Sequence, residues 1–286
     1  MTPRELIRSW ASLFEGAGVP DPLVDASLLL SHVTGQPALS LRLDSVTEME
    51  PAVEASMRRL CERRLAREPL QYILGDQPFM GHSFLVSPAV LIPRMDTERL
   101  CTLAIDALQK APAPRTLLDL CCGSGCIGLS VKLALPEAEV VCTDISEEAL
   151  ETARRNAERL GAFVRFVRGD LFRPVSGRFR AIVSNPPYIP SAVCEALQPE
   201  VMREPKLALD GGADGLRFHR QIASQAADHL LPSGSLLLEI GFDQADAVAA
   251  LLREAGFAEI AVAKDDGGLD RVVTARAPGG MDEGTV

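Results

Sequence analysis

The stretch of this 286-residue chain best suited to chemistry is Asn-Pro-Pro-Tyr at 185–188, separated only by Ser184 from the apolar run 179–183. Proline has no amide hydrogen and fixes its own φ, so the pair ends a strand and stiffens the backbone beyond it. The Asn185 side-chain oxygen and the Pro186 carbonyl can then accept the two N–H bonds of one planar NH2 group. Pro186 and Pro187 hold that carbonyl still, and Tyr188 can pack against the flat acceptor group. An amide or aromatic amine nitrogen is a poor nucleophile because its lone pair is delocalised. Two fixed acceptors orient it for attack and stabilise the positive charge that grows on it. The nitrogen can lose its proton after the transfer, so no histidine base is expected. As plain structure, Asn-Pro is a common strand-ending turn. Its position at a fourth strand end, in a sheet that also carries a glycine loop, favours the chemical reading.

That loop is "LLDLCCGSGCIGLS", which comes after the first strand and opens a helix. Gly123 and Gly125 allow a tight turn and a close approach of backbone to ligand. Asp144 ends the next strand, 19 residues after Gly125, where a carboxylate can accept both hydroxyls of a ribose. Gly128 completes G-x-G-x-x-G, so by itself the loop fits a nicotinamide dehydrogenase equally well. A dehydrogenase also needs a group to exchange a proton with the carbinol, usually His, Lys or Tyr. None of His32, His82, His219 and His229 sits at a predicted strand end, and His219 and His229 read as surface or helix-face positions. S-adenosylmethionine suits the pattern better: its ribose on Asp144, its adenine beside Asp170 in "RGDLF", its amino-acid part on the glycine loop, its methyl toward Asn185. Cys121, Cys122 and Cys126 form C-C-x3-C with no C-x2-C pair and no histidine nearby, so they read as small buried thiols, and no metal is expected.

These residues need a scaffold, and the order of elements supplies one. From about residue 95, predicted strands at 116–120, 140–143, 164–168, 181–184, 235–240, 258–263 and 271–276 alternate with predicted helices at 97–109, 125–135, 147–160, 216–230 and 244–254. Alternation of this kind implies an α/β fold with a mainly parallel sheet covered on both faces. The last two strands are joined only by "KDDGGLD" and are expected to pair antiparallel. Residues 1–77 read as a small helical domain, 78–94 as a β-hairpin linker, 95–278 as the cofactor-binding catalytic domain and 279–286 as a disordered tail.

Composition narrows the class. No apolar run is long enough to span a bilayer and no signal peptide opens the chain, so a cytoplasmic protein with reduced thiols is expected. A net charge of −10, and 21 Lys/Arg against 28 Asp/Glu from Pro78 onward, argue against stable nucleic-acid binding. The five arginines of "RRLCERRLARE" at 58–68 read as a solvated helix face, the sharper alternative being a contact for an anionic partner.

With these motifs in hand, the sequence resembles the class I S-adenosylmethionine methyltransferases that carry N-P-P-Y. More narrowly, it resembles the family that methylates the glutamine of the Gly-Gly-Gln motif in class 1 peptide-chain release factors. The resemblance runs over nearly the whole chain, through "LIPRMDTERL", "LLDLCCGSGCIGLS", "GDLF", "SNPPYIP", "EPKLALDGGADGL" and "LLLEIG". It implies a Rossmann-like domain with a seven-stranded sheet and an N-terminal helical bundle that helps grip a protein substrate; a monomer is expected because the two-domain plan needs no partner to bury its core. It implies cofactor contacts from Cys121, Cys122, Gly123, Ser124, Gly125, Asp144, Asp170, Leu171 and Asn185, with Arg94 and Thr97 at the methionine end. It also implies that Asn185, Pro186, Pro187 and Tyr188 bind the substrate glutamine, and that Asn185, Pro186 and Tyr188 carry the catalysis. Cys121-Cys122 stands where the family often has Gly-Thr, and Met95-Asp96 where Pro-Glu is more usual. The cysteine loop is similar to the sister family that methylates a glutamine of a ribosomal protein. That substrate, and more distantly a nucleobase amine, are the alternatives.

Overall fold

A computed structural model describes residues 1–278; the tail expected at 279–286 lies outside the described residues. The chain divides into two compact units, Met1–Asp76 with Gln198–Arg203, and Gln77–Leu197 with the rest from Glu204. Two features of this division differ from the expected one. The hairpin packs with the second unit, and a six-residue piece of the distant loop belongs to the first.

The first unit is built from α1 (Pro3–Gly16), α2 (Pro22–Thr34), α3 (Ala38–Leu43), α4 (Pro51–Leu65) and α5 (Leu70–Leu74). A capping box starts α1: Thr2 Oγ1 accepts from the Glu5 amide, and the Glu5 carboxylate accepts from the Thr2 amide. Left-handed Gly35 and Gly75 stop α2 and α5. Leu6, Phe14, Leu29, Leu30, Met57 and Cys61 form the core. The arginine run does not form the solvated face expected of it throughout. Arg58, Arg59 and Arg63 are exposed, but Arg64 is buried. Its guanidinium donates to Asp25 at 2.7 Å and to Glu200 at 2.8 Å, and Arg67 makes a two-pronged pair with the same Glu200 at 2.6 and 2.7 Å. A helical pattern reports which face an arginine occupies, and the two carboxylates that let it be buried are 39 and 136 residues away.

The second unit begins with a hairpin, β1 (Asp76–Phe79) and β2 (His82–Leu85). Its turn at Met80-Gly81 has positive φ at both residues, 49° and 76°, as the tightest hairpin turns require. Next along the chain are α6 (Met95–Lys110), β3 (Thr116–Leu120), α7 (Cys126–Ala134), β4 (Glu139–Asp144), α8 (Glu147–Leu160), β5 (Arg165–Arg168), β6 (Phe179–Ser184), the short α9 (Ser191–Cys194), α10 (Arg217–Gln225), β7 (Leu230–Glu239), α11 (Ala245–Glu254), β8 (Ala258–Lys264) and β9 (Asp270–Arg276). The seven sheet strands lie in the order β5-β4-β3-β6-β7-β9-β8, and only β9 runs against its neighbours.

Side-chain alternation divides the core between the two faces. On one face Leu117, Val140, Cys142, Val183 and Leu237 pack under α6, α7 and the hairpin aromatics Phe79 and Phe84. On the other, Leu118, Val141, Ile182 and Leu236 pack under α10 and α11. The chain steps outward through β3, β4 and β5, then returns to the other side of β3 with β6. The C-terminal ends of β3 and β6 therefore flank a topological switch point, where sheets of this kind bind ligands. Among the described residues, no helix is long and apolar enough to cross a membrane.

Candidate active site

Register brings the strand ends level. Leu120 of β3 lies beside Thr143 of β4 and Ser184 of β6, and the Ser184 hydroxyl donates to the Leu120 carbonyl at 2.9 Å. Beyond these ends opens a cavity of about 230 Å³. Arg94, Thr97, Cys121, Cys122, Gly123, Ser124, Asp144, Asp170, Leu171, Asn185 and Pro187, all singled out from sequence, line it. Three others do not: Gly125 turns the chain into α7, Pro186 is buried, and Tyr188 faces elsewhere.

The loop after β3 is held tightly. The Cys122 amide donates to the Thr143 carbonyl at 3.0 Å, and the Gly123 amide donates to Asp144 Oδ2 at 2.9 Å. Asp144 Oδ1 accepts from the Ser146 amide at 2.9 Å. Burial pushes the Asp144 carboxyl up while these backbone donors pull it down, with a net rise. Each oxygen keeps a second lone pair for a ligand hydroxyl. Cys121 and Leu171 both line the cavity with positive φ, 58° and 49°, a conformation that non-glycine residues take only where the surroundings enforce it. At Gly123, φ 54°, a Cβ would meet nothing within 4 Å, so the backbone is open on that side.

Beneath the loop, two buried side chains that sequence reasoning passed over fix its position. Asp119, next to the C-terminal residue of β3, accepts from the Gly128 amide at 2.9 Å and so ties α7 to the strand. Burial pushes its carboxyl up to about 7. Asn156 of α8 donates to the Ser124 carbonyl at 2.9 Å and exchanges two hydrogen bonds with the backbone of Leu85. Nothing in "ETARRNAERL" marks that asparagine, since its partners are 32 and 71 residues away.

On the other wall the Asn185 amide nitrogen donates to Thr97 Oγ1 at 3.3 Å, which leaves Asn185 Oδ1 as its acceptor. The carbonyls of Tyr188 and Ile189 accept from Gln244 at 2.9 Å and from the Gly211 amide at 2.8 Å. Gly211 and Gly215 of "LALDGGADGL" press so closely that a Cβ would come within 2.8 Å of the Pro187 carbonyl and 2.3 Å of the Tyr188 carbonyl, respectively. Glu204 holds the "LIPR" segment through the Ile92 amide at 2.9 Å and an ion pair with Arg94. Leu207, Arg217 and Phe218 are among the other residues that line it, and the quoted "EPKLALDGG" stretch was the available signal for the first of them. His219 is fully buried, not a surface position, with Nε2 at 2.9 Å from the Glu239 carbonyl.

A parallel sheet with this strand order, a glycine loop after its first strand and Asn-Pro-Pro-Tyr after its fourth defines a class I methyltransferase. The comparisons agree. The profile described as "PrmC N-terminal domain" matches residues 5–75, and that of the "Methyltransferase small domain" matches 99–212. A release factor glutamine methyltransferase from Geobacter sulfurreducens is 46% identical, with 91% of each chain covered. One from Deinococcus radiodurans is 42% identical over 98% of this chain and 100% of its own. A methyltransferase structure from Pyrococcus furiosus superposes with a TM-score of 0.53 at 19% identity, covering 78% of this chain and 98% of its own, and shares the fold. The chain belongs to the release factor glutamine methyltransferase family.

Proposed function

We propose that the chain transfers a methyl group from S-adenosylmethionine to the side-chain amide nitrogen of the glutamine in the Gly-Gly-Gln motif of class 1 release factors. One observation carries the reading. Asn185 stands at the cavity wall with its NH2 committed to Thr97, so its oxygen is turned to acceptor duty in a segment braced by prolines and by two close-packed glycines. The donor set fits the cofactor. Asp144 offers carboxylate lone pairs to a ribose diol, Asp170 and Leu171 flank the place for adenine, and Arg94 and Thr97 line the methionine end beside the open backbone of 121–125. When bound, S-adenosylmethionine supplies an electrophilic methyl group.

The remaining work falls to the chain's own residues. Asn185 Oδ1 and the Pro186 carbonyl accept the two N–H bonds of the glutamine amide, turning its lone pair toward the cavity. The same two acceptors stabilise the charge that develops on nitrogen, and the proton leaves afterwards. Tyr188 shapes the segment that receives the glutamine. No metal enters this scheme, and the protein acts as a cytoplasmic monomer. Mass spectrometry of a purified release factor, after incubation with the protein and S-adenosylmethionine, tests the reading. One added methyl on the Gly-Gly-Gln glutamine, absent with Asn185→Ala, is the expected result. No added methyl with cofactor binding intact refutes the substrate, and undiminished methylation by Asn185→Ala refutes the acceptor role.

A further inference from the structure

Glu239, at the C-terminal end of β7, is 1% exposed and has no part in the chemistry assigned to Asn185 and Pro186. Its Oε1 lies 3.4 Å from the Tyr188 hydroxyl, and its Oε2 has no hydrogen-bond partner among the described residues. The side chains facing it come from every element around it. Thr97 and Asp96 belong to α6, Tyr188 to the segment after β6, Arg271 to β9 and Cys126 to α7. From α10, His219 holds its backbone carbonyl. Arg271 is shared with Asp265 at 3.0 Å and Asp96 at 3.4 Å, so it is no dedicated partner. A buried carboxylate with incomplete pairing is unfavourable, and such groups concentrate where a site uses them.

We propose that Glu239 is a positioning residue for methyl transfer, its carboxylate orienting Tyr188 directly and Asn185 through the Thr97 hydroxyl. Thr97 is 2% exposed, and its oxygen accepts from Asn185 Nδ2. A hydroxyl that accepts there still has its own proton to donate, and the acceptor assigned to it in this proposal is the Glu239 carboxylate, whose Oε2 has no other partner among the described residues. The relay runs from Asn185 NH2 to the Thr97 oxygen and from the Thr97 proton to the carboxylate. With its NH2 held at the far end, the Asn185 amide cannot rotate, and Oδ1 stays the atom presented to substrate. Tyr188, tied to the same carboxylate, fixes the other end of the four-residue motif. Ionisation matters, because a protonated carboxyl would itself be a donor and compete for the Thr97 oxygen. Burial raises the Glu239 carboxyl to about 7, opposed by Thr97, Arg271 and Tyr188 and assisted by Asp96. The relay is therefore intact above that pH and lost as pH falls through it.

The inference rests on the proposed glutamine methylation, and two readouts separate their failures. In steady-state methylation of a release factor, Glu239→Gln should lower kcat about 10- to 100-fold while S-adenosylmethionine affinity stays within about 2-fold, the signature of lost orientation. The wild-type kcat should fall on the acid side with a midpoint near 7, and this limb should disappear in Glu239→Gln. Unchanged kcat with an unchanged acid limb overturns the proposal. The second readout is the side-chain amide resonance of Asn185 in 15N-labelled protein, assigned by its loss in Asn185→Ala. It should titrate near pH 7 in the wild type and not in Glu239→Gln. If the wild type leaves the release factor unmethylated, the proposed function fails, and this resonance alone decides the role of Glu239: no difference between the two proteins overturns it. Should Glu239→Gln fail to fold, Thr97→Ser against Thr97→Val makes the same test. The serine should keep the Asn185 titration and the valine abolish it, and equal behaviour of the two refutes the relay.

Discussion

Gly128 is the position where a single methyl group tests the packing beneath the cofactor loop. It lies in the first turn of α7, where glycine is about 1 kcal/mol less favourable than alanine, so propensity alone predicts that Gly128→Ala stabilises. The geometry predicts the opposite. A Cβ there would lie 2.5 Å from Cys142 Sγ, 3.0 Å from Asp119 Oδ2 and 3.3 Å from Val140 Cγ1. Ordinary carbon contacts are about 3.5–4.0 Å, so α7 must move away from β4 by about an ångström, an overpacking cost of about 1–3 kcal/mol. The same movement draws the Gly128 amide off Asp119 Oδ2, now 2.9 Å, leaving a carboxyl whose other oxygen already lacks a partner. An abandoned buried acceptor adds about 1–3 kcal/mol. After the helical gain is subtracted, the net loss is about 3 kcal/mol, or a Tm lower by about 6–12 °C. Thermal unfolding of Gly128→Ala, Cys142→Ala and the double variant measures this. Cys142→Ala removes the nearest atom and should recover most of the loss in the double variant. A Gly128→Ala protein that melts within about a degree of the wild type, or a double variant whose losses simply add, refutes the packing argument.

Two further predictions concern charge. Burial raises the Asp119 carboxyl to about 7, so the folded state holds a proton that the unfolded chain releases at about 4, and stability falls as pH rises across that window. Asp119→Asn keeps an acceptor for Gly128 and should resist urea better at pH 8 yet match the wild type near pH 4. Because Glu239, Asp144 and Asp25 are raised as well, the slope between should lessen rather than vanish, and parallel pH profiles for the two proteins would rule this out. Glu200 behaves inversely. Burial alone would raise it, but hydrogen bonds from Arg67 and Arg64 hold it down to about 2, so its contribution is present above the ordinary carboxylate range and lost as pH falls toward 2. Glu200→Gln should destabilise the helical unit by about 3 kcal/mol at pH 7, because it leaves Arg64 buried beside Asp25 alone. Denaturation followed by the fluorescence of Trp10, the chain's single tryptophan, reports on that unit, and an unchanged midpoint at pH 7 would refute the account.

The sheet and its ligand-binding edge were legible because each rests on a local pattern. Apolar runs mark β3, β4 and β6, and glycine, aspartate or proline marks where each ends. The errors fall where a partner distant in sequence decides. The predicted helix at 216–230 is kept nearly whole, α-helical to Gln225 and 3-10 over Ala226–His229, but the strand expected at 235–240 starts at Leu230, because Leu230 pairs with Phe179 before the register shifts. His219 looked like one polar residue on an amphipathic helix. It is buried because the end of β7 offers it a carbonyl, and only the folded topology brings that carbonyl there. Glu204 and Glu239 are of the same kind. Each is a carboxylate in a short motif, and its role depends on Arg94, Tyr188 or Thr97, which lie 110, 51 and more than a hundred residues away.

The piece Gln198–Arg203 gives the helical unit a discontinuous primary structure. Excised at residue 76, that unit would carry Arg64 into its interior without the Glu200 carboxylate that shares it, while Arg67 would lose its two-pronged partner. A tidy gene fragment encoding the N-terminal helices is thus not a self-sufficient module. Grafting it onto another methyltransferase would require the recipient's loop to bring its own acid to the same spot, so the two parts of this gene are constrained to change together.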